Sequence, residues 1–205
     1  MLVLTPQFLV STVTTLVPWE QQRKTSDGKR RGARIDAKRA AASLRFVQFV
    51  GFWSHYAPGR HYSSWPLPSS IDIEELPAFA ARERGLAERP EAGDVFLLAP
   101  VGGAGPHTLS GIVLEVETVR TMMNGRDAFV CLTAEGEIAG SASSPRIANV
   151  RLVRRRLSEV FGDCFIRWCD LPPRLSAAGA AEGTVARYQI PDDMLTLKRN
   201  RRRAA

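Results

Sequence analysis

Residues 90–137 constrain the fold more than any other stretch, because they hold three strand-like pieces joined by turns. The first, Val95-Phe96-Leu97-Leu98, is an apolar run reached through the turn at Pro90-Glu91-Ala92-Gly93. In the second, Ile112, Leu114 and Val116 alternate with Val113, Glu115 and Glu117, a pattern that turns half-polar toward its end, as in a strand leaving a core. The third starts at Ala128 and follows Asn124-Gly125, a turn pair that makes the second and third pieces a hairpin. Pairing them brings His107 and Glu135 toward one end of the sheet. An imidazole beside a carboxylate is the orienting half of a nucleophilic site, since the acid selects the ring's tautomer and stabilises its cation.

At 205 residues with 44% hydrophobic side chains, the chain suits one domain of ordinary size, or a slightly smaller one with loose ends. Its formal charge of +7 implies attraction to polyanions, whether nucleic acid, anionic lipid or acidic wall polymers. Three cysteines, with Cys164 and Cys169 close together, do not make a disulfide framework. The apolar opening stretch lacks a basic lead, is interrupted by Pro6, and ends at Pro18-Trp19-Glu20, which is unlike a small-residue cleavage site. It is also shorter than the ~20 apolar residues that a bilayer requires. A packing helix is expected instead, starting after Thr5-Pro6 with Phe8, Leu9, Thr12 and Leu16 on one face. No membrane span is expected, and without a clear export signal the expected setting is the cytoplasm, or a phage-like or other assembly.

Residues 20–40 carry a surplus of basic side chains and read as a solvated loop and helix face, with polyanion contact as the competing reading. From Ile35 to Tyr56 the pattern is helical, in one piece or two, with Ser43 a candidate N-cap for the second and Phe46, Phe49, Val50 and Trp53 forming an apolar face. Prolines make residues 57–70 a loop in which His55, His61, Tyr62 and Trp65 cluster. This cluster is either a rim that stacks on sugar rings or peptide planes, or a set of buried aromatics pinning a long loop. His55 and His61 lack a third ligand at metal-site spacing, so neither a metal nor another cofactor is expected. Asp72–Arg84 reads as a helix with acids first and bases last. After a pliable segment at 139–144, residues 149–156 read as a strand with a basic face that includes Arg154, Arg155 and Arg156, a candidate polyanion contact. Residues 165–168 read as the closing strand. Beyond Pro172-Pro173 come a linker and a basic tail, giving a division into 1–170 and 171–205.

Several short motifs occur in a familiar order. Pro90-Glu91-Ala92-Gly93-Asp94-Val95-Phe96, then Pro106-His107 ahead of Gly111-Ile112-Val113, then Thr133-Ala134-Glu135-Gly136-Glu137, resemble the CHAP domains, cysteine- and histidine-dependent amidohydrolases and peptidases with a papain-like fold. Gly28–Asp36 is similar to that family's glycine-rich lead-in to its first helix, and Phe49-Val50 is similar to the Phe-Val of its Trp-Cys-Ala-Ala-Phe-Val helix. The resemblance implies an α+β, papain-like CHAP-type fold with N-terminal helices packed on an antiparallel five-stranded sheet. It implies His107 as base and Glu135 as its orienter, and it places Phe46 at the nucleophile position, with Glu137 where the family has Asn. No cysteine precedes Cys131. The function expected on this basis is a module without its nucleophile, serving as a binding or structural subunit for peptidoglycan or other proteins. Two alternatives stand beside it: an active amidase or endopeptidase with a different nucleophile, and a nucleic-acid-binding protein that uses the basic strand and tail.

Overall fold

The computed structural model describes residues 6–16, 26–27, 37–57, 62–63, 65–68, 70–100, 105–141, 144–171 and 176–177. The glycine-rich lead-in at 28–36, His61, most of the 171–185 linker and the basic tail lie outside these residues, as do the side chains of Phe8 and Leu16. In chain order the elements are helix α1 (Pro6–Leu16), strand β1 (Ser26–Asp27), helix α2 (Ala37–Ser54), strands β2 (Tyr56–Ala57) and β3 (Tyr62–Ser63), helix α3 (Leu76–Arg82) and strand β4 (Leu86–Ala87). They continue with β5 (Val95–Leu98), β6 (Leu109–Thr121), β7 (Asp127–Ser141), β8 (Ser144–Leu157), β9 (Cys164–Ile166) and β10 (Ser176–Ala177). The class is α+β.

Six antiparallel strands in the order β8-β7-β6-β5-β9-β4 form the main sheet, and β1 adds a parallel edge beside β8. All five strands expected from the sequence are present. The expected count of five is nevertheless corrected, because β4 supplies another strand that spans 2 residues and is too short to show alternation. The segment read as pliable is the tip of the longest hairpin, where Ser141 pairs with Ser144. Strands β2, β3 and β10 form a separate small sheet.

The Pro90–Asp94 motif is a structural turn. Gly93 has φ of 98°, a conformation that glycine adopts without steric penalty. The Asp94 carboxylate accepts the Glu91 N–H at 2.8 Å and pairs with Arg167, while Trp168 donates its indole N–H to the Gly93 carbonyl. Backbone bonds between Gly93 and Val113 and between Val113 and Asp94 then lock the turn to β6.

Period-two alternation along β5 explains its unbroken apolar run, since the sheet is buried on both faces. Val95 and Leu97 join the core beneath the helices, together with Ile112, Ala134, Leu152 and Ile166. Phe96 and Leu98 point the other way, into a second core with Val113, Phe129, Cys131, Leu157 and Phe165. That second core exists because the sheet curls. Strands β7 and β9 are separated by β6 and β5, about 14 Å in a flat sheet, yet the rings of Phe129 and Phe165 are 5.9 Å apart, edge to face. Register shifts in β6 between Val113 and Glu115 and between Val116 and Thr118 supply the bending. Asp163 ties the ends of the curl by accepting N–H bonds from both Ala99 and Ser158.

Helix α2 lies across β6 and β7, burying Leu44, Phe46, Val47, Phe49 and Val50, and α1 covers it with Leu9 and Val13. Among the described residues, no helix is long and apolar enough to cross a membrane.

Candidate functional site

The first two turns of α2 meet the sheet where β6 begins and β8 is bulged against β7. Opposite Gly136 the β7–β8 register passes from Glu135 with Arg151 to Glu137 with Ala148, so Asn149 and Val150 form a β-bulge. Asn149 takes φ of 53° there, a left-handed conformation that Asn tolerates better than most residues. Its amide donates to Glu137 Oε2 at 2.9 Å, and Arg39 Nε of α2 donates to Glu137 Oε1 at 3.2 Å. Beside them the buried Glu135 receives a two-pronged bond from Arg155, Nε to Oε1 at 2.6 Å and Nη2 to Oε2 at 2.9 Å. Arg151 reaches the same Oε2 from 3.4 Å. Arg39, Glu135, Glu137, Asn149 and Arg151 line a cleft of about 340 Å³ that Leu109, Gly136 and Val150 complete.

Deeper in, helix and strand are joined by two hydroxyls. Ser43 Oγ donates to the Ala40 carbonyl at 2.8 Å and accepts the Ser110 N–H at 2.9 Å, and its oxygen is 3.2 Å from Ser110 Oγ. Both residues are fully buried. Ser43 therefore caps nothing: it is inside the helix, bonding back to its own preceding turn.

His107 precedes β6 rather than opening it. Its Nε2 is 3.2 Å from the Gly162 carbonyl, which can only accept, so the ring carries its proton on Nε2. Burial lowers its pKa, and the Gly162 bond and the charge of Asp163 oppose that shift. It lines a separate cavity of about 320 Å³ with Ala37, Ala40, Asp72, Glu75 and Pro106. Because Ile112 pairs with Ala134, Glu135 falls opposite Gly111, and His107 is four residues farther along, roughly 13 Å. The expected pairing of His107 with Glu135 is not made: the two are that far apart along the strand, and Arg155 holds the carboxylate.

Phe46 is corrected in a similar way. It is the tenth residue of α2, roughly 13 Å of rise from the helix start, and its ring packs on Gly136 in the core, not at a helix N-terminus facing a base. Trp65 is not on a rim either. It is buried against His55 and Trp168, with ring centroids at 5.2 and 5.3 Å. Tyr62 lies in β3, paired with Ala57 and Ala177. The basic strand does not present its arginines together, since successive residues face opposite sides. Arg155 is inside, whereas Arg154 grips Glu117 at 2.6 and 3.0 Å and Arg156 lies over the Phe161 ring.

None of the thiols is activated. Burial, reinforced by the charge of Glu117, pushes Cys131 up to about 12. Burial first, then nearby carboxylates, raises Cys164 and Cys169 as well. Among the described residues, no group of three or more His, Cys, Asp or Glu side chains could hold a metal ion.

Among the polar residues that line the cleft, Arg39 and Asn149 were not singled out from sequence, and Arg151 was read only as part of the basic strand. Arg39 was hidden in a basic run and Arg151 in a basic strand. A weak signal existed at Asn149, whose residue type suits the left-handed bulge position.

No protein-family model matches the chain, and no solved structure matches it. It is similar to the human collagen alpha-1(XVIII) chain, with 31% identity over 139 residues, or 67% of this chain. The chain spans 7% of that protein's length. A triple helix over such a stretch would require Gly at every third position, about 46 glycines, whereas this chain has 16 in all. The similarity is therefore not one of collagenous repeat.

Proposed function

We propose that this protein is a CHAP-like module that has lost its nucleophile and works as a non-catalytic binding or structural subunit. The observation that carries this reading is the Ser43–Ser110 pair. In the family's helix the nucleophile stands three residues before the Phe of Phe-Val. Moving the comparison one turn from Phe49-Val50 to Phe46-Val47 puts Ser43 at that position, on the helix face that meets the start of β6. A serine there needs a base and an open approach to act. Ser43 has neither: its proton is directed to the Ala40 carbonyl, its oxygen accepts from Ser110, and it is sealed from solvent.

His107 is not paired with it: the bonds of Ser43 go to Ala40 and Ser110, and His107 Nε2 faces the Gly162 carbonyl. Burial holds the Cys131 thiol protonated, and only the thiolate is a competent nucleophile. The fold is thus read as a papain-like frame whose chemical groups have been replaced by packing.

The test is turnover. Cross-linked peptidoglycan incubated with the purified chain should release no new amino groups. Release that disappears in His107→Ala, or on alkylation of the cysteines, would overturn the reading and restore an active amidase or endopeptidase.

A further inference from the structure

We infer that the cleft between α2 and the β7–β8 bulge is a binding site for a free carboxylate, received by Arg151. The inference rests on the reading above only in taking this cleft as a place of binding rather than reaction.

Three guanidinium groups, Arg39, Arg151 and Arg155, meet two carboxylates, Glu135 and Glu137, at this cleft. Bond lengths distinguish the three. Arg155 occupies both oxygens of Glu135 at 2.6 and 2.9 Å, while Arg39 and Asn149 occupy the two oxygens of Glu137. Arg151 has a single contact, at 3.4 Å, to an oxygen that Arg155 already holds. A guanidinium carries five donors in a planar fork. With its side chain 44% exposed on the cleft wall, Arg151 has donors to offer a ligand.

The wall is also built in advance. Glu135 is 2% exposed and Arg155 is 6% exposed, so the pair beneath Arg151 is fixed in place. Asn149 is held in a left-handed conformation at the bulge, and both backbone strain and bulges gather at functional sites. A planar carboxylate matches the fork of Arg151 with two parallel bonds. It also brings one negative charge to the one guanidinium of the cleft whose contact to a carboxylate is long, at 3.4 Å. A cleft of about 340 Å³ accommodates a ligand the size of an amino acid or a peptide end.

The experiment is a calorimetric titration of the whole chain at low salt with N-acetylalanine, its C-terminal amide, the tripeptide Gly-Gly-Ala and inorganic phosphate. Saturable binding of the acid is expected, with the amide at least about tenfold weaker, the loss of a charge-assisted pair. Arg151→Gln should abolish the difference between acid and amide. Arg82→Gln, an exposed arginine paired with Glu83 and absent from the cleft wall, should leave it unchanged. Tighter binding of Gly-Gly-Ala identifies a peptide end as the source of the carboxylate, and preference for the single residue identifies a small free acid. Equal binding of acid and amide, wild-type binding by Arg151→Gln, or phosphate bound more tightly than the acid would each overturn the inference. Peptide cleavage by a chain that still binds through Arg151 would count against the non-catalytic reading alone.

Discussion

The ring of Phe46 lies so close to the backbone of Gly136 that a Cβ added there would be 2.7 Å from two ring carbons. The glycine admits the ring, and the same glycine faces the β8 bulge that presents Asn149 to the cleft. A residue that the resemblance placed at a nucleophile position thus shapes the neighbouring strand from within the core.

Two substitutions test this contact. Gly136→Ala should destabilise the protein by about 1–3 kcal/mol through overpacking, and Phe46→Ala by about 3–5 kcal/mol through the cavity it leaves. In denaturant unfolding the double variant should cost less than the sum, because the smaller residue relieves the clash. Simple additivity would show that the two sites do not touch.

A thiol placed at the same position reports on its surroundings. Phe46→Cys should give a buried group with a pKa above the usual value and slow alkylation in the native state, as burial does for Cys131. A depressed pKa and rapid alkylation would mean that position 46 faces an imidazole or a helix N-terminus after all.

Ser43→Ala removes the acceptor of the buried Ser110 N–H. A buried donor left without its partner costs about 1–3 kcal/mol, so the variant should unfold at lower denaturant with an unchanged slope. Loss of less than a few tenths of a kcal/mol would show that the pair contributes nothing to joining α2 and β6.

Glu135→Ala strands the buried Arg155 charge and should cost about 3–5 kcal/mol. Replacing both partners with apolar residues of similar volume should recover much of that loss. If the double variant is as unstable as the single one, then the carboxylate matters for reasons other than pairing.

His55 makes stability depend on pH. Burial among Trp65 and Trp168 lowers its pKa from 6.5 to about 4, against a smaller opposing effect of its bond to Gly51. Between these values the unfolded chain binds the proton and the folded one does not, so stability is complete above pH 6.5 and falls as pH drops toward about 4. His107 adds to the slope in the same direction. The full effect of His55 is on the order of 3 kcal/mol, and His55→Leu should remove most of the slope when unfolding is followed across that range. A slope that survives the substitution would assign it to other groups.

The strands, the hairpin turn and the long helix were legible from sequence because they are local: alternation, an Asn-Gly pair and spacing at three and four residues act within a few positions. Even the apolar run at Val95–Leu98, which alternation alone leaves ambiguous, follows from a sheet with cores on both faces. The candidate site was harder to read, because no local pattern records which side chain meets which across the sheet. His107 and Glu135 lie at one end of the hairpin, as pairing requires, but Arg155, twenty residues on, holds the carboxylate first. Arg154, Arg155 and Arg156 look alike in the chain, yet curvature and strand parity send one inward to Glu135 and leave the others on the opposite face. Local chemistry determined the elements; the curl of the sheet, set by bulges and by contacts such as Phe129 with Phe165, decided the partners.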